Sequence, residues 1–230
     1  MWLNLPQSMQ VKSNINYIVF LPNSIRCTAK LYSNSQLKYT YIMAFEDYKQ
    51  KDSVIVVYTG DGKGKTSAGL GLMARALGAG FNVAFVQFIK MWDVSEHQFI
   101  RTIAPVFDKK LSFYKGGLGF FEAGELSSTA SKDEHIAEAR RTFDFAYKAA
   151  TSGDYQLVIC DEINNAVHDG LLDITDLEKL IADKHKTTSL CLTGRNFPKS
   201  LIKRVDIASD MTKLKHHFDD KLLANKGIDY

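Results

Sequence analysis

The sequence predicts an α/β fold in three layers, with a mainly parallel sheet covered by helices on both faces. From residue 53 onward, short runs that are almost entirely apolar alternate with segments of helical pattern. Strands of a parallel sheet are buried on both faces and therefore read as continuous apolar runs. The length of 230 residues and the apolar content of 45% suit one domain of this class with a real core.

The same two signals predict each element along the chain. Apolar runs predict strands at residues 53–59, 82–88, 111–114, 155–160, 189–193 and 207–214. Helical patterns predict helices at residues 65–79, 131–151 and 174–184, and a short one at 198–204. Gly116, Gly117 and Gly119 mark a long loop after the third strand. Because functional loops of such folds follow the carboxyl ends of the strands, we expect this loop to touch substrate.

Residues 1–48 differ from the rest of the chain. They are rich in Asn, Ser and Tyr without a clear hydrophobic period, and residues 1–45 contain four basic residues and no acidic one. We interpret them as an N-terminal extension, either disordered or the product of a mis-called start with Met43 as the true first residue. A single arginine argues against an organelle transit peptide. The functional domain is accordingly expected at residues 49–230.

The composition argues against several classes of binding partner. Outside the N-terminal extension the basic and acidic residues nearly balance, which argues against a nucleic-acid partner. Cys27, Cys160 and Cys191 lack the spacing of a zinc site or a disulfide framework, and this favours a reducing, cytoplasmic location. No apolar run approaches the ~18–20 residues that span a membrane, so no membrane partner is expected.

A glycine-rich turn joins the first predicted strand to the first predicted helix. It reads Gly60-Asp61-Gly62-Lys63-Gly64-Lys65-Thr66. Glycines let backbone amides wrap phosphates at a helix N-terminus, Lys65 adds a fixed positive charge, and the Thr66 hydroxyl is placed to ligate Mg²⁺. Thr59 occupies the position where the common loop has its outer glycine, so this loop is one residue shorter. We therefore expect a nucleoside triphosphate to bind, in an unusual orientation.

Two carboxylates, Asp161 and Glu162, follow an apolar strand about a hundred residues later. Such a pair is often only a helix cap, but together with the loop it predicts a site for Mg²⁺ (or Mn²⁺). Loop and carboxylates predict a P-loop NTPase (RecA-like) fold. They do not select a reaction, because kinases, ATPases, GTPases and transferases share them.

Beyond these motifs, the chain resembles the P-loop family of ATP:corrinoid adenosyltransferases, the cob(I)yrinic acid a,c-diamide adenosyltransferases, over roughly residues 53–230. The resemblance rests on the order and spacing of blocks at residues 60–66, 86–90, 161–162, 192–195, 214–219 and 227–230. It implies that the cobalt of a reduced corrinoid attacks the 5′ carbon of ATP, which lies reversed in the loop, and that tripolyphosphate leaves. It further implies a homodimer and a flavoprotein reductase as partner.

The resemblance also assigns roles to residues. Lys65, Thr66 and Glu162 are implied to be catalytic, with Thr66 and Glu162 holding the metal. The residues implied to bind ATP or corrinoid are Gly60, Asp61, Gly62, Lys63, Gly64, Lys65, Thr66, Ser67, Arg75, Arg195 and Phe120. Arg75 reads equally well as a helix-surface charge.

The corrinoid side of the site departs from the family. Phe120 matches an aromatic side chain that displaces the lower cobalt ligand, but Glu122 stands where a tryptophan is common, which leaves the preference between complete and truncated corrinoids open. Trp92 is a candidate to line the corrinoid cleft, or a partly buried structural tryptophan.

Two other functions fit the phosphate motifs. One is a P-loop kinase or ATPase that releases ADP; the other is a non-enzymatic regulator that senses ATP. The sequence shows no clear cluster of lid arginines for the first, and no bistable element with a partner surface for the second. The products separate all three, because only adenosyl transfer yields tripolyphosphate.

Overall fold

The computed structural model describes residues 48–121 and 128–229, and the backbone of three strands within residues 17–42. The chain divides into two units, residues 1–50 and 51–230. The first contains β1 (Tyr17–Leu21), β2 (Ile25–Leu31) and β3 (Leu37–Ile42), paired antiparallel in that order. None of these strands was predicted. The interpretation of residues 1–48 as an extension and of 49–230 as the functional domain stays a prediction.

The second unit is built on a six-stranded sheet in which every pairing is parallel. Its strands are β4 (Ile55–Thr59), β5 (Val83–Gln87), β6 (Leu111–Lys115), β7 (Leu157–Asp161), β8 (Ser189–Thr193) and β9 (Ile207–Asp210). The order across the sheet is β6-β5-β7-β8-β4-β9. All six strands were predicted, and the parallel α/β architecture is confirmed. β9 ends at Asp210 and not at residue 214 as predicted.

Five α-helices and three 3₁₀ helices are found in the described part of this unit. The α-helices are α1 (Lys65–Gly78), α2 (Ser95–Ile103), α3 (Lys132–Ser152), α4 (Ile163–His168) and α5 (Ile174–Asp183). The 3₁₀ helices are Ala104–Phe107, Lys199–Arg204 and His217–Asp220. α2 and α4 were not predicted, because α2 is short and largely polar and α4 has too few residues to show a helical period.

The core lies in two layers, one on each face of the sheet. In β5, Ala84 and Val86 pack into one cluster while Val83 and Phe85 pack into the other, as the two-residue period of a strand requires. The first cluster is covered by apolar residues of α3, α4 and α5, and the second by residues of α1 and α2. The three-layer prediction is therefore confirmed.

Because all six strands run in the same direction, their carboxyl ends share one edge of the sheet. The chain leaves β4 there into the glycine-rich turn, and β7 delivers Asp161 to the same edge. Sites in open parallel sheets form at this edge. None of the helices in the described part of the chain is both long enough and apolar enough to cross a membrane.

Two glycines of the second unit differ sharply in the room around them. Gly71, inside α1, has no atom within 4 Å of the position of an added Cβ, whereas a Cβ on Gly116 would collide with the buried side chain of Thr142. We predict that Gly71→Ala stabilises the protein by about 0.5–1 kcal/mol through helix propensity. Gly116→Ala should destabilise it by about 1–3 kcal/mol through overpacking. Urea denaturation midpoints measure both, and equal shifts of the same sign would contradict this account.

Candidate active site

The glycine-rich turn wraps the N-terminus of α1 in a left-handed backbone. Gly60 has φ 98° and Gly64 has φ 106°, values that disfavour any residue with a Cβ. Thr59 is the last residue of β4, and its Oγ1 accepts a hydrogen bond from the Phe197 N–H at 3.1 Å. The side chain at the position of the missing outer glycine therefore has a structural role, and the loop starts one residue later.

Lys65, the first residue of α1, extends its side chain back over this loop. Its Nζ donates to the carbonyl oxygens of Gly60 at 2.7 Å and Gly62 at 2.6 Å. Burial lowers the pKa of Lys65, and the positive charge of Arg195 lowers it further. The ammonium group is thus partly withdrawn from water inside the loop, where an anion would be strongly attracted to it.

Asp161, at the end of β7, is fully buried and accepts three hydrogen bonds. The donors are Thr193 Oγ1 at 2.6 Å, Gln87 Nε2 at 2.8 Å and Thr66 Oγ1 at 3.3 Å. These donors come from β8, β5 and α1, so the carboxylate fixes the start of α1 relative to the sheet. A buried carboxylate is tolerated only with such partners.

Glu162 has a different environment. It adopts the left-handed region with φ 63°, and its backbone N–H donates to Thr193 Oγ1 at 2.9 Å. Its Oε2 is out of contact with solvent and has no hydrogen-bond partner among the described residues. Burial raises the pKa of Glu162 to about 7, and the charge of Asp161 adds to this effect. The charges of Lys90 and Lys65 oppose this rise without cancelling it.

These features fit a divalent metal ion. Mg²⁺ prefers oxygen ligands, and Glu162, with its unsatisfied carboxylate oxygen, lines the same cleft as Thr66, whose hydroxyl donates to Asp161. Within the described residues, no group of three or more His, Cys, Asp or Glu side chains could hold a metal. An ion at this position would therefore share its ligands with water and a bound phosphate chain.

Two buried polar side chains, His97 and Gln87, connect α2 to Asp161. His97 Nδ1 lies 3.3 Å from both the Val94 backbone nitrogen and Asp93 Oδ1, and His97 Nε2 makes a hydrogen bond with Gln87 Oε1. Gln87 in turn directs its amide N–H to Asp161. Burial lowers the pKa of His97, although its contact with Asp93 opposes this effect. His97 lies on α2, a helix that was not predicted, and no pattern in the sequence marked it.

All these elements border one cleft of about 480 Å³. Besides the loop and the start of α1, its walls include residues from α2 and α4, from the turns after β5, β6, β7 and β8, and from the C-terminal part of the chain. These residues are Lys90, Ser95, Glu96, Phe99, Phe120, Glu162, Asn165, Arg195, His216, Gly227, Ile228 and Asp229. Lys90 pairs with Glu96 at 2.5 Å. Burial opposes the charge on Lys90, but Asp161, Glu162 and Glu96 together raise its pKa.

Most of the predicted site residues meet in this cleft. Its lining includes Asp61, Gly62, Lys63, Gly64, Lys65, Thr66, Ser67, Phe120, Glu162 and Arg195. Gly60 is adjacent, at the start of the loop. Arg75 lies in the last turn of α1, is exposed and is not part of the lining, so its proposed contact with nucleotide stays a prediction. Glu122 lies outside the described residues.

Two further predicted features are placed by the structure. The Trp92 ring lies 5.1 Å from the Phe120 ring, and Trp92 is 39% exposed. The backbone N–H of Arg195 donates a hydrogen bond to Asn165 Oδ1 at 2.8 Å. Sequence reasoning gave no role to Lys90, although it ends the recognised block at residues 86–90. It also gave none to Glu96, Phe99 or Asn165, which lie on α2 and α4, the two helices that were not predicted.

Comparisons with known proteins agree on one family. The model of the family described as ATP:corrinoid adenosyltransferase BtuR/CobO/CobP matches residues 51–230. A corrinoid adenosyltransferase of Pseudomonas aeruginosa is 31% identical over 79% of this chain and 86% of its own length. One from Sinorhizobium sp is 30% identical over 77% and 80%. A RadB recombinase structure aligns at TM-score 0.41 and 15% identity over 68% of this chain and 74% of its own, a similarity too low to inform function.

The burial of Glu162 predicts a dependence of stability on pH in metal-free protein. Its pKa rises from 4.5 to about 7 on folding, so its stabilising contribution is complete below pH 4.5 and is lost as the pH rises through about 7. Glu162→Gln should remove that loss and make the protein more stable at pH 8, by up to about 3 kcal/mol. Denaturant unfolding in EDTA at pH 4.5 and 8 measures it.

Glu178→Gln serves as the matched control, because that side chain is 43% exposed and should not alter the pH profile. If Glu162→Gln is less stable than the parent at pH 8, the Glu162 carboxylate has a stabilising partner in the apo protein. Glu162 would then not be available as a metal ligand.

Proposed function

The chain belongs to the ATP:corrinoid adenosyltransferase family, and on that premise we propose that the cleft is where the 5′-deoxyadenosyl group of ATP passes to the cobalt of a reduced corrinoid. The corrinoid substrate is cob(I)alamin or cobyrinic acid a,c-diamide, tripolyphosphate is the second product, and the pathway is biosynthesis or salvage of adenosylcobalamin. One observation carries this assignment. The ammonium of Lys65, the loop amides and the unpartnered Glu162 oxygen border the same cleft.

The charge of the site suits a departing triphosphate. Negative charge develops on the leaving chain as the bond to the 5′ carbon breaks, and fixed positive groups in a partly dry site stabilise it. Lys65 withdraws from its two carbonyl partners at little cost when a phosphate oxygen replaces them, because both are hydrogen-bond acceptors. Ser67 at the start of α1 and Arg195 after β8 line the same space and complete the proposed phosphate and nucleotide contacts.

The reaction needs no protein nucleophile, and the described cysteines support this. Burial raises the pKa of Cys160 to about 12 and raises that of Cys191 as well, so neither thiol is ionised near neutral pH. Cobalt in the +1 state is itself the nucleophile. The role of the protein is then to hold the ribose carbon in line with the cobalt, which is a matter of positioning.

Thr66 and Glu162 are the proposed metal ligands, with Mg²⁺ (or Mn²⁺) as the ion. The ion would neutralise part of the triphosphate charge when bound. Asp161 accepts a hydrogen bond from Thr66 and so orients that hydroxyl from behind. These different roles explain why the Asp161 carboxylate accepts three hydrogen bonds whereas Glu162 Oε2 has no partner among the described residues.

The corrinoid is proposed to bind at the apolar rim of the cleft. Phe99, which is 48% exposed, and Phe120 both line the cleft, and the Phe120 ring packs against Trp92. Aromatic faces suit a flat, largely apolar macrocycle. On the basis of the family alone, we also propose a homodimer, a flavoprotein reductase as electron donor and a cytoplasmic location; neither nucleic acid nor a membrane is a proposed partner.

Lys65→Ala tests the phosphate assignment. We predict a loss of turnover of about 10²–10³-fold, the usual effect of deleting one group that stabilises transition-state charge. The rate of adenosylcobalamin formation from ATP, Mg²⁺ and chemically reduced cob(I)alamin, followed anaerobically by absorbance, measures it. Lys148→Ala, an exposed residue of α3, is the control and should keep full activity. Near-normal turnover by Lys65→Ala would remove the loop from the mechanism.

Removal of residues 1–42 tests the domain proposal. A chain that begins at Met43 retains the whole family match, and we predict unchanged turnover and an unchanged KM for ATP in the same assay. A large loss of turnover would instead assign part of the corrinoid site to the N-terminal residues.

A further inference from the structure

Residues 210–229, here termed the C-terminal segment, are hydrogen-bonded to the phosphate loop, although they lie about 150 residues further along the chain. The Gly62 N–H donates to the carbonyl of Met211 at 2.5 Å, and the Met211 N–H donates to the carbonyl of Thr59 at 2.8 Å. A Cβ on Gly60 or Gly62 would collide with Asp210 or Met211. The absence of a side chain at these two glycines is therefore required by the C-terminal segment.

A second attachment lies at the far end of this segment. Lys63, on the loop, forms an ion pair with Asp229. The Asp229 side chain is only 2% exposed; the Asn225 N–H donates to its Oδ2 at 2.6 Å, and His217 Nε2 lies 3.5 Å from the same oxygen. The Asn225 N–H, and after it Lys63, lower the pKa of Asp229 to about 2. The carboxylate is thus charged and has several partners.

Two roles are conceivable for a carboxylate on a phosphate-binding lysine. It could compete with the triphosphate for Lys63 and be displaced by it, or it could hold Lys63 in place while the triphosphate binds. Burial decides between them. Asp229 is almost fully covered, whereas the Lys63 side chain is 46% exposed and has open directions for a second anion. Displacement would also remove Gly227, Ile228 and Asp229 from the wall of the cleft.

We infer that Asp229 is a positioning residue of the adenosyl-transfer site: it fixes the Lys63 ammonium at the phosphate end of the cleft and locks the C-terminal segment as the wall beside it. This inference rests on the proposed function, since the anion that Lys63 meets is taken to be the triphosphate. Residue 229 is thereby tied to ATP affinity although it makes no phosphate contact of its own. An ionised carboxylate has no proton to donate to a phosphate oxygen, so its effect passes through Lys63.

Binding of inorganic tripolyphosphate to the full chain, in the presence of Mg²⁺, measures this directly by calorimetry. Asp229→Asn should weaken binding about tenfold, equal to 1.4 kcal/mol. Asp229→Glu should restore most of the affinity. In a Lys63→Ala background, Asp229→Asn should have no further effect, because the two residues act as one unit. Asp220→Asn, an exposed carboxylate of the same segment, should bind like the parent.

In the enzyme assay, Asp229→Asn should raise the KM for ATP by the same factor with a smaller change in kcat, which a general loss of folded protein would not produce. Hydrogen exchange at the amides of Asn225 and Asp229 should accelerate in Lys63→Ala, and this readout needs no activity. Tighter tripolyphosphate binding by Asp229→Asn would overturn the inference and show that the carboxylate competes with the phosphate chain for Lys63. Unchanged binding would also overturn the inference, because Asp229 would then have no effect on the phosphate site.

Tripolyphosphate binding distinguishes an error in the proposed function from an error in the role of Asp229. If the parent and Lys65→Ala bind tripolyphosphate equally, the phosphate site itself is wrong. If Lys65→Ala weakens binding and Asp229→Asn does not, the proposed function stands and the positioning role of Asp229 is wrong.

Discussion

The buried carboxylate of Asp161 is the interaction on which the rest of the site depends. It joins β7 to β5 through Gln87, to β8 through Thr193 and to α1 through Thr66. Removal of any one donor would leave this buried carboxylate with one hydrogen bond fewer, at a cost of about 1–3 kcal/mol. This constraint fixes where α1 starts, and therefore where the loop presents its amides and Lys65.

The neighbouring Glu162 shows the opposite arrangement. Its backbone lies in the left-handed region, its Oε2 lacks a partner among the described residues, and burial raises its pKa. Each of these features costs stability in the apo protein, and strain of this kind concentrates at functional sites. The fully bonded Asp161 and the two-sided core of the sheet offset that cost. The pair therefore divides into one hydrogen-bonded carboxylate, Asp161, and one, Glu162, that we propose binds a cation.

The sequence predicted the sheet well because every strand is buried on both faces and reads as an apolar run. It also predicted the loop and Asp161-Glu162, because those residues sit at fixed positions relative to strand ends. It missed α2, α4 and the three N-terminal strands, which lack a clear period. It could not predict the contact of His97 with Gln87 or of Lys63 with Asp229, because such pairs depend on tertiary packing.

The proposed adenosyl transfer can be tested by ³¹P NMR, which identifies the phosphate product after anaerobic turnover of ATP with cob(I)alamin and Mg²⁺. We expect tripolyphosphate in equal amount to the adenosylcobalamin formed, because the whole phosphate chain leaves from the 5′ carbon. ADP with orthophosphate, and no cobalt–carbon bond, would contradict this proposal, since the loop would then act on the terminal phosphate as in an ATPase.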